Sequence, residues 1–150
     1  MEQKYDLIET ALRVGNFEIF TRALERARLK QTLKDTGPYT IFAPTDGAFA
    51  TRPEFEELLK PEKTYELESL LRHHIVPGKL MSAELRTIDQ TITAEGTMLR
   101  IEPRQALCIN EGQVVLPDLE ATNGVIHAID SVLMPDAKAA VTGRLVTGNL

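Results

Sequence analysis

The residues from Ala121 to Pro135, Ala-Thr-Asn-Gly-Val-Ile-His-Ala-Ile-Asp-Ser-Val-Leu-Met-Pro, constrain the fold of this chain more than any other stretch. Asn123-Gly124 is a turn pair, because both residue types tolerate positive φ at little cost. After it apolar residues fall on both parities: Val125, Ile129 and Leu133 on one, Ile126, Val132 and Met134 on the other. A strand that is apolar on both faces is covered on both sides and belongs in the middle of a core. Pro135 ends it, since proline cannot donate to a sheet ladder. His127 and Asp130 are the polar exceptions, and buried polar side chains cost free energy unless they find partners.

At 150 residues the chain is one domain, large enough to bury a core without metal or disulfide. Its formal charge of −5, with no long single-sign block, disfavours non-specific binding to nucleic acid or an anionic membrane. Cys108 is the single cysteine, so no intramolecular disulfide can form, and within Ala-Leu-Cys-Ile it reads as a buried structural thiol. No apolar run approaches membrane-spanning length. The opening Met-Glu-Gln-Lys-Tyr-Asp lacks the basic and apolar regions of a signal peptide. The expectation is a cytoplasmic protein, the alternative being the cell surface or periplasm if a leader was removed.

Along the chain, Asp6-x-x-Glu9 is a capping-box-like start, after which Leu7, Ile8, Ala11 and Leu12 recur at helical spacing. Gly15-Asn16 breaks that helix, and the next places Phe17, Phe20, Leu24 and Ala27 on one stripe. Its other face carries Arg22 and Arg26 in the most basic part of the protein. That face reads as solvated, with an anion or partner site as the alternative. Tyr39 to Ala43 is a short strand that runs into Pro44-Thr45-Asp46-Gly47, where Thr45 or Asp46 caps a short helix. A strand entering a helix N-terminus is also a potential anion site, and here Asp46 is expected to fill it. Leu67, Leu70, Leu71 and His74 mark the inner stripe of a further helix. From Leu85 onward short strands take over, with a hairpin signal at Asn110-Glu111-Gly112-Gln113. Helices first and strands second indicate an α+β domain over residues 1–136, with 137–150 as a flexible tail.

Three blocks together resemble the fasciclin domain family over about residues 5–135. They are Tyr39-Thr-Ile-Phe-Ala-Pro-Thr-Asp-Gly-Ala-Phe-Ala50, Leu70-Leu-Arg-His-His-Ile-Val-Pro-Gly78 and Thr122 to Pro135. His73 departs from the tyrosine that the family usually has there. The resemblance implies a β-sandwich or wedge of about seven strands with several short helices packed on one side. It further implies that His74 is an internal hydrogen-bonding residue tied to the neighbouring signatures. His74 is therefore expected close to the Thr45–Asp46 turn, where a charged partner would raise its pKa. His127 and Asp130 are expected to be satisfied structural groups, Asp130 by accepting backbone N–H bonds near a sheet edge.

No catalytic, metal or cofactor site is expected. His73 and His74 are adjacent and point about 100° apart on a helix. No Cys-x-x-Cys, His-x-x-x-His, His-Glu-x-x-His, Gly-x-Ser-x-Gly or phosphate-loop spacing occurs. The resemblance instead implies a non-enzymatic protein-interaction module, monomeric alone, that docks onto protein partners. Leaderless single-domain members include the small subunit of the cyanobacterial carbon-dioxide-uptake NADPH dehydrogenase-like complex, and such a membrane-associated complex is one expected partner. The alternative is adhesion: in animal members the segment before the last signature, here Leu116-Pro-Asp-Leu-Glu120, is linked to integrin binding. An adhesive role needs export, and no Asn-x-Ser/Thr acceptor is present. The candidate binding residues are His73, Pro117, Asp118, Arg22 and Arg26, with the surface from His73 to 116–120 first among them.

Overall fold

The computed structural model describes residues 5–35, 37–53 and 55–134. The first half is helical. α1 (Leu7–Val14) opens on a capping box, in which Asp6 Oδ1 accepts the Glu9 N–H (2.8 Å) and Glu9 Oε1 accepts the Asp6 N–H (3.1 Å). It buries Leu7, Ile8 and Ala11, but Leu12, expected on the same stripe, is 57% exposed. α2 (Glu18–Arg26) buries Phe20, Ala23 and Leu24, with Phe17 and Ala27 buried at its two ends. α3 (Lys30–Asp35) leads to β1 (Tyr39–Pro44), and the short α4 (Asp46–Ala50) and α5 (Phe55–Leu58) follow it. α6 (Thr64–Arg72) delivers the two adjacent histidines to β2 (Ile75–Pro77).

The second half is strand-rich: after α7 (Ser82–Leu85) come β3 (Gln90–Ile92), β4 (Met98–Pro103), β5 (Leu107–Ile109), β6 (Gly112–Ala121) and β7 (Gly124–Ile129). All seven strands form one sheet in the order β2-β1-β7-β6-β5-β4-β3. β1 and β7 pair in parallel, and the other pairs are antiparallel. Every residue of β7 is buried, as a central strand covered on both faces requires. It stops at Ile129, well short of Pro135; Val132 and Leu133 are buried beyond the strand. Cys108, on β5, is half-buried.

The two faces of the sheet bury different clusters. Ile41, Ala43, Ile75, Ile126 and Ala128 pack under the helices. Phe42, Val76 and Ile129 pack against Leu99, Ile101, Leu107 and Ile109 from β4 and β5. β4 stands four places from β1 in the sheet order, so these contacts require the sheet to curl over on itself. The curl brings its two ends together: the Ala94 N–H, just past β3, donates to the Ile75 carbonyl of β2 (2.7 Å). The β-sandwich or wedge of about seven strands that the resemblance implies takes the form of a nearly closed, seven-stranded barrel with helices on its outer face.

Asn123 was expected for its tolerance of positive φ, but it does not adopt one. Its side chain is the reason for it. Oδ1 accepts the Leu7 N–H (3.0 Å) and Nδ2 donates to the Leu33 carbonyl, tying α1 and α3 to the β6–β7 turn. Gly124 is required by close approach, since a Cβ there would lie 2.0 Å from the Tyr39 carbonyl oxygen on β1.

Candidate functional site: three buried histidines and the surfaces around them

His74 follows the last turn of α6 and is 1% exposed. Its Nδ1 donates to the Leu70 carbonyl (2.9 Å), and its Nε2 accepts the Leu133 N–H (2.9 Å). One ring thus joins the end of α6 to the segment after β7. A ring that donates from one nitrogen and accepts at the other is neutral. Burial pushes its pKa down to about 3, against the Leu70 bond. The expected link from His74 to the Thr45–Asp46 turn, with a raised pKa, is not what forms. Thr45 Oγ1 accepts the Ala48 N–H (3.2 Å) and caps α4. Asp46 Oδ1 accepts the Ile19 N–H (2.9 Å), in the first turn of α2, whose own N-cap Phe17 has no side-chain acceptor. The carboxylate expected to fill the site of its own helix is held by a different one.

His127 lies on the opposite face of β7, stacked on Phe42 at 5.8 Å between ring centroids. Its Nδ1 accepts the Asp118 N–H (3.1 Å), and its Nε2 donates to the Leu80 carbonyl (2.8 Å). Burial lowers its pKa, against the Leu80 bond and the Asp118 carboxylate, whose Oδ1 lies 4.0 Å from Nδ1. Ser82 completes the group by donating both its backbone N–H (2.7 Å) and its hydroxyl (2.5 Å) to Asp118. Burial alone would raise the Asp118 pKa, but these two bonds and His127 hold it below the ordinary carboxylate value. Ser, Asp and His meet here in the wrong order for nucleophilic catalysis. The hydroxyl bonds the Asp118 carboxylate and the imidazole bonds two backbone groups, so the imidazole is not placed to take the Ser82 proton.

His73, expected on an exposed binding surface, is 2% exposed. It is the C-cap of α6 and turns inward toward the β3–β4 connection, where its Nδ1 lies 2.5 Å from Thr97 Oγ1. It therefore does not join residues 116–120 in one outer surface. Burial lowers its pKa to about 4, against the pull of Glu95. Asp130 is exposed, and its Oδ1 accepts the Gln113 N–H (2.8 Å) while its own N–H donates to the Gln113 carbonyl (3.1 Å). Among the described residues no three of His, Cys, Asp and Glu are grouped as a metal site would require.

Large exposed apolar side chains occur around α1 (Tyr5, Leu12 and Val14), at Tyr65, at the paired Ile92 and Met98, and on β6. Val115 and Leu116, 50% and 44% exposed, lie beside exposed Pro117 where β6 shifts register twice against β7. Beyond Gln113 the outer edge of β6 has no strand partner among the described residues. Arg22 and Arg26 are both exposed on α2. Arg22 lines a groove of about 210 Å³ with Ile8, Leu12, Glu18, Thr21, Glu25 and Lys30. That is below the usual range of small-molecule sites, and the charges on its rim are mixed. The tail at 137–150 lies outside the described residues.

Sequence reasoning missed Ser82, which bonds Asp118 beside His127, and the group of Thr93, Glu95 and Thr97, of which Thr97 bonds His73. The signal available for the last three was the turn at Gly96, which brings Thr93 and Thr97 side by side.

The fasciclin domain model matches residues 15–135. Two proteins of Synechocystis are similar: sll1735 at 33% identity over 129 residues, spanning 86% of this chain and 97% of that protein, and sll1483 at 34% over 132 residues, spanning 86% and 73%. Transforming growth factor-beta-induced protein ig-h3 of Oryctolagus cuniculus is 36% identical over 126 residues, 82% of this chain but 18% of that much longer protein. Among solved structures, a FAS1 domain pair from the insect cell adhesion molecule Fasciclin I matches with a TM-score of 0.76 at 20% identity. The match covers 89% of this chain and 52% of that one, so the two share a fold. With the family model spanning most of its length, the chain belongs to the fasciclin domain family.

Proposed function

We propose that this protein is a non-enzymatic protein–protein interaction module that docks as an accessory subunit onto a larger complex. The observation that carries the reading is the outer edge of β6. Two consecutive apolar residues, Val115 and Leu116, point to solvent beside Pro117 at a double irregularity of the strand. Proline and bulges on an edge discourage indiscriminate strand pairing, and exposed apolar side chains beside them leave a surface for a specific partner. Asp118 serves that surface from behind, because its bonds to Ser82 hold the loop in place. The internal hydrogen bonding of all three histidines supports the non-enzymatic part of the reading.

The test is affinity capture from a native extract with tagged wild type and with the double variant Val115→Asp, Leu116→Asp. The wild type is expected to retain a defined complex that the variant loses while keeping its folded circular dichroism spectrum. Recovery of the same complex by the folded variant overturns the assignment of this surface. The finer proposal is a cytoplasmic subunit of a carbon-dioxide-uptake dehydrogenase complex; the two Synechocystis relatives bear on it only in that similar chains occur in that organism. Comigration with dehydrogenase subunits on native gels tests it, and recovery only with envelope proteins contradicts it. Adhesion at the cell surface is the second reading, favoured by the structural likeness to a cell adhesion molecule.

A further inference from the structure

The β3–β4 connection, Thr93 to Thr97, holds the curled sheet shut. In addition to the Ala94–Ile75 backbone bond, Ser69 Oγ donates to Glu95 Oε2 (2.7 Å) and Arg72 Nε donates to Glu95 Oε1 (2.9 Å). Behind these bonds sits His73, with Nδ1 on Thr97 and Nε2 without any hydrogen-bond partner. It is the one buried side-chain nitrogen or oxygen so placed among the described residues.

Counting lone pairs gives the direction of each bond. Thr93 Oγ1 accepts the Glu95 N–H (3.1 Å) and the Thr97 N–H (3.2 Å), which fills both of its acceptor positions. Its own proton therefore goes to Thr97 Oγ1, 2.6 Å away. Thr97 in turn gives its proton to His73 Nδ1. The imidazole is then neutral and protonated on Nε2, and the unpaired atom is a buried N–H donor.

We propose that the 93–97 loop is an acid-released clasp, kept shut by the neutral imidazole of His73 and opened when that ring takes a second proton on Nδ1. A proton on Nδ1 sets a donor against the Thr97 hydroxyl. Thr97 Oγ1 can accept it on its second lone pair only by turning its own proton away, and Thr93 Oγ1 has no lone pair left to take that proton. The Nε2–H would then stay buried without an acceptor on a charged ring, while the Thr97 hydroxyl proton loses its partner. Around it, Glu95 on the loop attracts the imidazolium. Arg72 and Glu68 on α6 are paired with each other, and Arg72 also with Glu95. The His74 ring stands perpendicular at 6.1 Å and is held neutral by its own two bonds. From α2 the group packed on this end of α6 is the Phe20 ring, against His74; β2 contributes apolar Ile75 and Val76. Glu95 is thus the one charge favouring protonation, and burial outweighs it. Opening frees the Ile75 carbonyl and uncovers the outer edge of β2.

Amide hydrogen exchange by NMR on the full chain tests this at pH 7 and pH 5, corrected for intrinsic exchange rates. A released imidazole titrates near 6.5, so protection of the Ala94 and Thr97 amides is expected to fall on the order of 20-fold between those values. At both pH values it should stay below that of β1 and β7. In His73→Phe the Ala94 protection should no longer change with pH. In Thr97→Val, which keeps the imidazole but removes its partner, Ala94 should already be weakly protected at pH 7. The proposal is overturned if Ala94 is as protected as β7 at each pH, which makes opening global. It is equally overturned if His73→Phe keeps the full pH dependence, or if Thr97→Val leaves Ala94 protection at pH 7 unchanged.

Discussion

Replacing His74 by leucine isolates the contribution of one buried imidazole. At pH 7 the substitution leaves the Leu133 N–H without an acceptor, at a residue that is 0% exposed. The Leu70 carbonyl is not orphaned, because the His73 N–H also donates to it (3.1 Å). An unsatisfied buried donor costs about 1–3 kcal/mol, and the more apolar side chain recovers part of that. The net loss should be about 2 kcal/mol, a shift of about 1 M in the urea midpoint. Acid then changes the comparison. The folded His74 stays neutral down to about pH 3, whereas the unfolded ring takes a proton near 6.5. Its contribution to wild-type stability is thus fully present above 6.5 and declines as pH falls. From pH 7 to pH 5 the wild type loses about 2 kcal/mol through this group. The leucine variant has no such loss, so urea melts of the two proteins should nearly coincide at pH 5. A gap that stays constant between pH 7 and pH 5 would refute the neutral buried imidazole. No destabilisation at pH 7 would refute the Leu133 bond.

Two further substitutions probe the ties between layers. Asp46→Ala removes the acceptor from the first turn of α2 and should cost about 1–2 kcal/mol by urea melts, with Asp46→Asn losing less because an oxygen remains. Gly124→Ala drives a methyl group to 2.0 Å from the Tyr39 carbonyl, so β1 and β7 must separate. That change should cost more than about 4 kcal/mol or abolish soluble expression, and a thermal midpoint within a few degrees of wild type contradicts the register.

The parts of the molecule legible in the sequence are those set by local pattern. Apolar residues on both parities placed β7 at the centre, and the Phe17, Phe20, Leu24, Ala27 stripe placed α2 on the core. The choice of polar partners was not legible, because it is decided by contacts between distant segments. Asp46 reads as the cap of the helix it begins, yet the barrel sets α2 closer to its carboxylate. His73 reads as an exposed helix end, yet the curl of the sheet brings Thr97, 24 residues away, onto its ring. Leu12 fits the α1 stripe, yet the helices leave it at the rim of a groove. Asn123 was placed correctly at a turn for a reason that proved secondary to its amide.

The imidazoles of this protein serve as neutral internal ties. Nitrogen-detected NMR of the three rings between pH 7.5 and pH 5.5 tests this most directly. The His73 and His74 rings should not titrate in that range and His127 should titrate below the ordinary value, with the proton on Nδ1 in His74 and on Nε2 in His73 and His127. A ring that titrates near 6.5, or His74 protonated on Nε2, would contradict it.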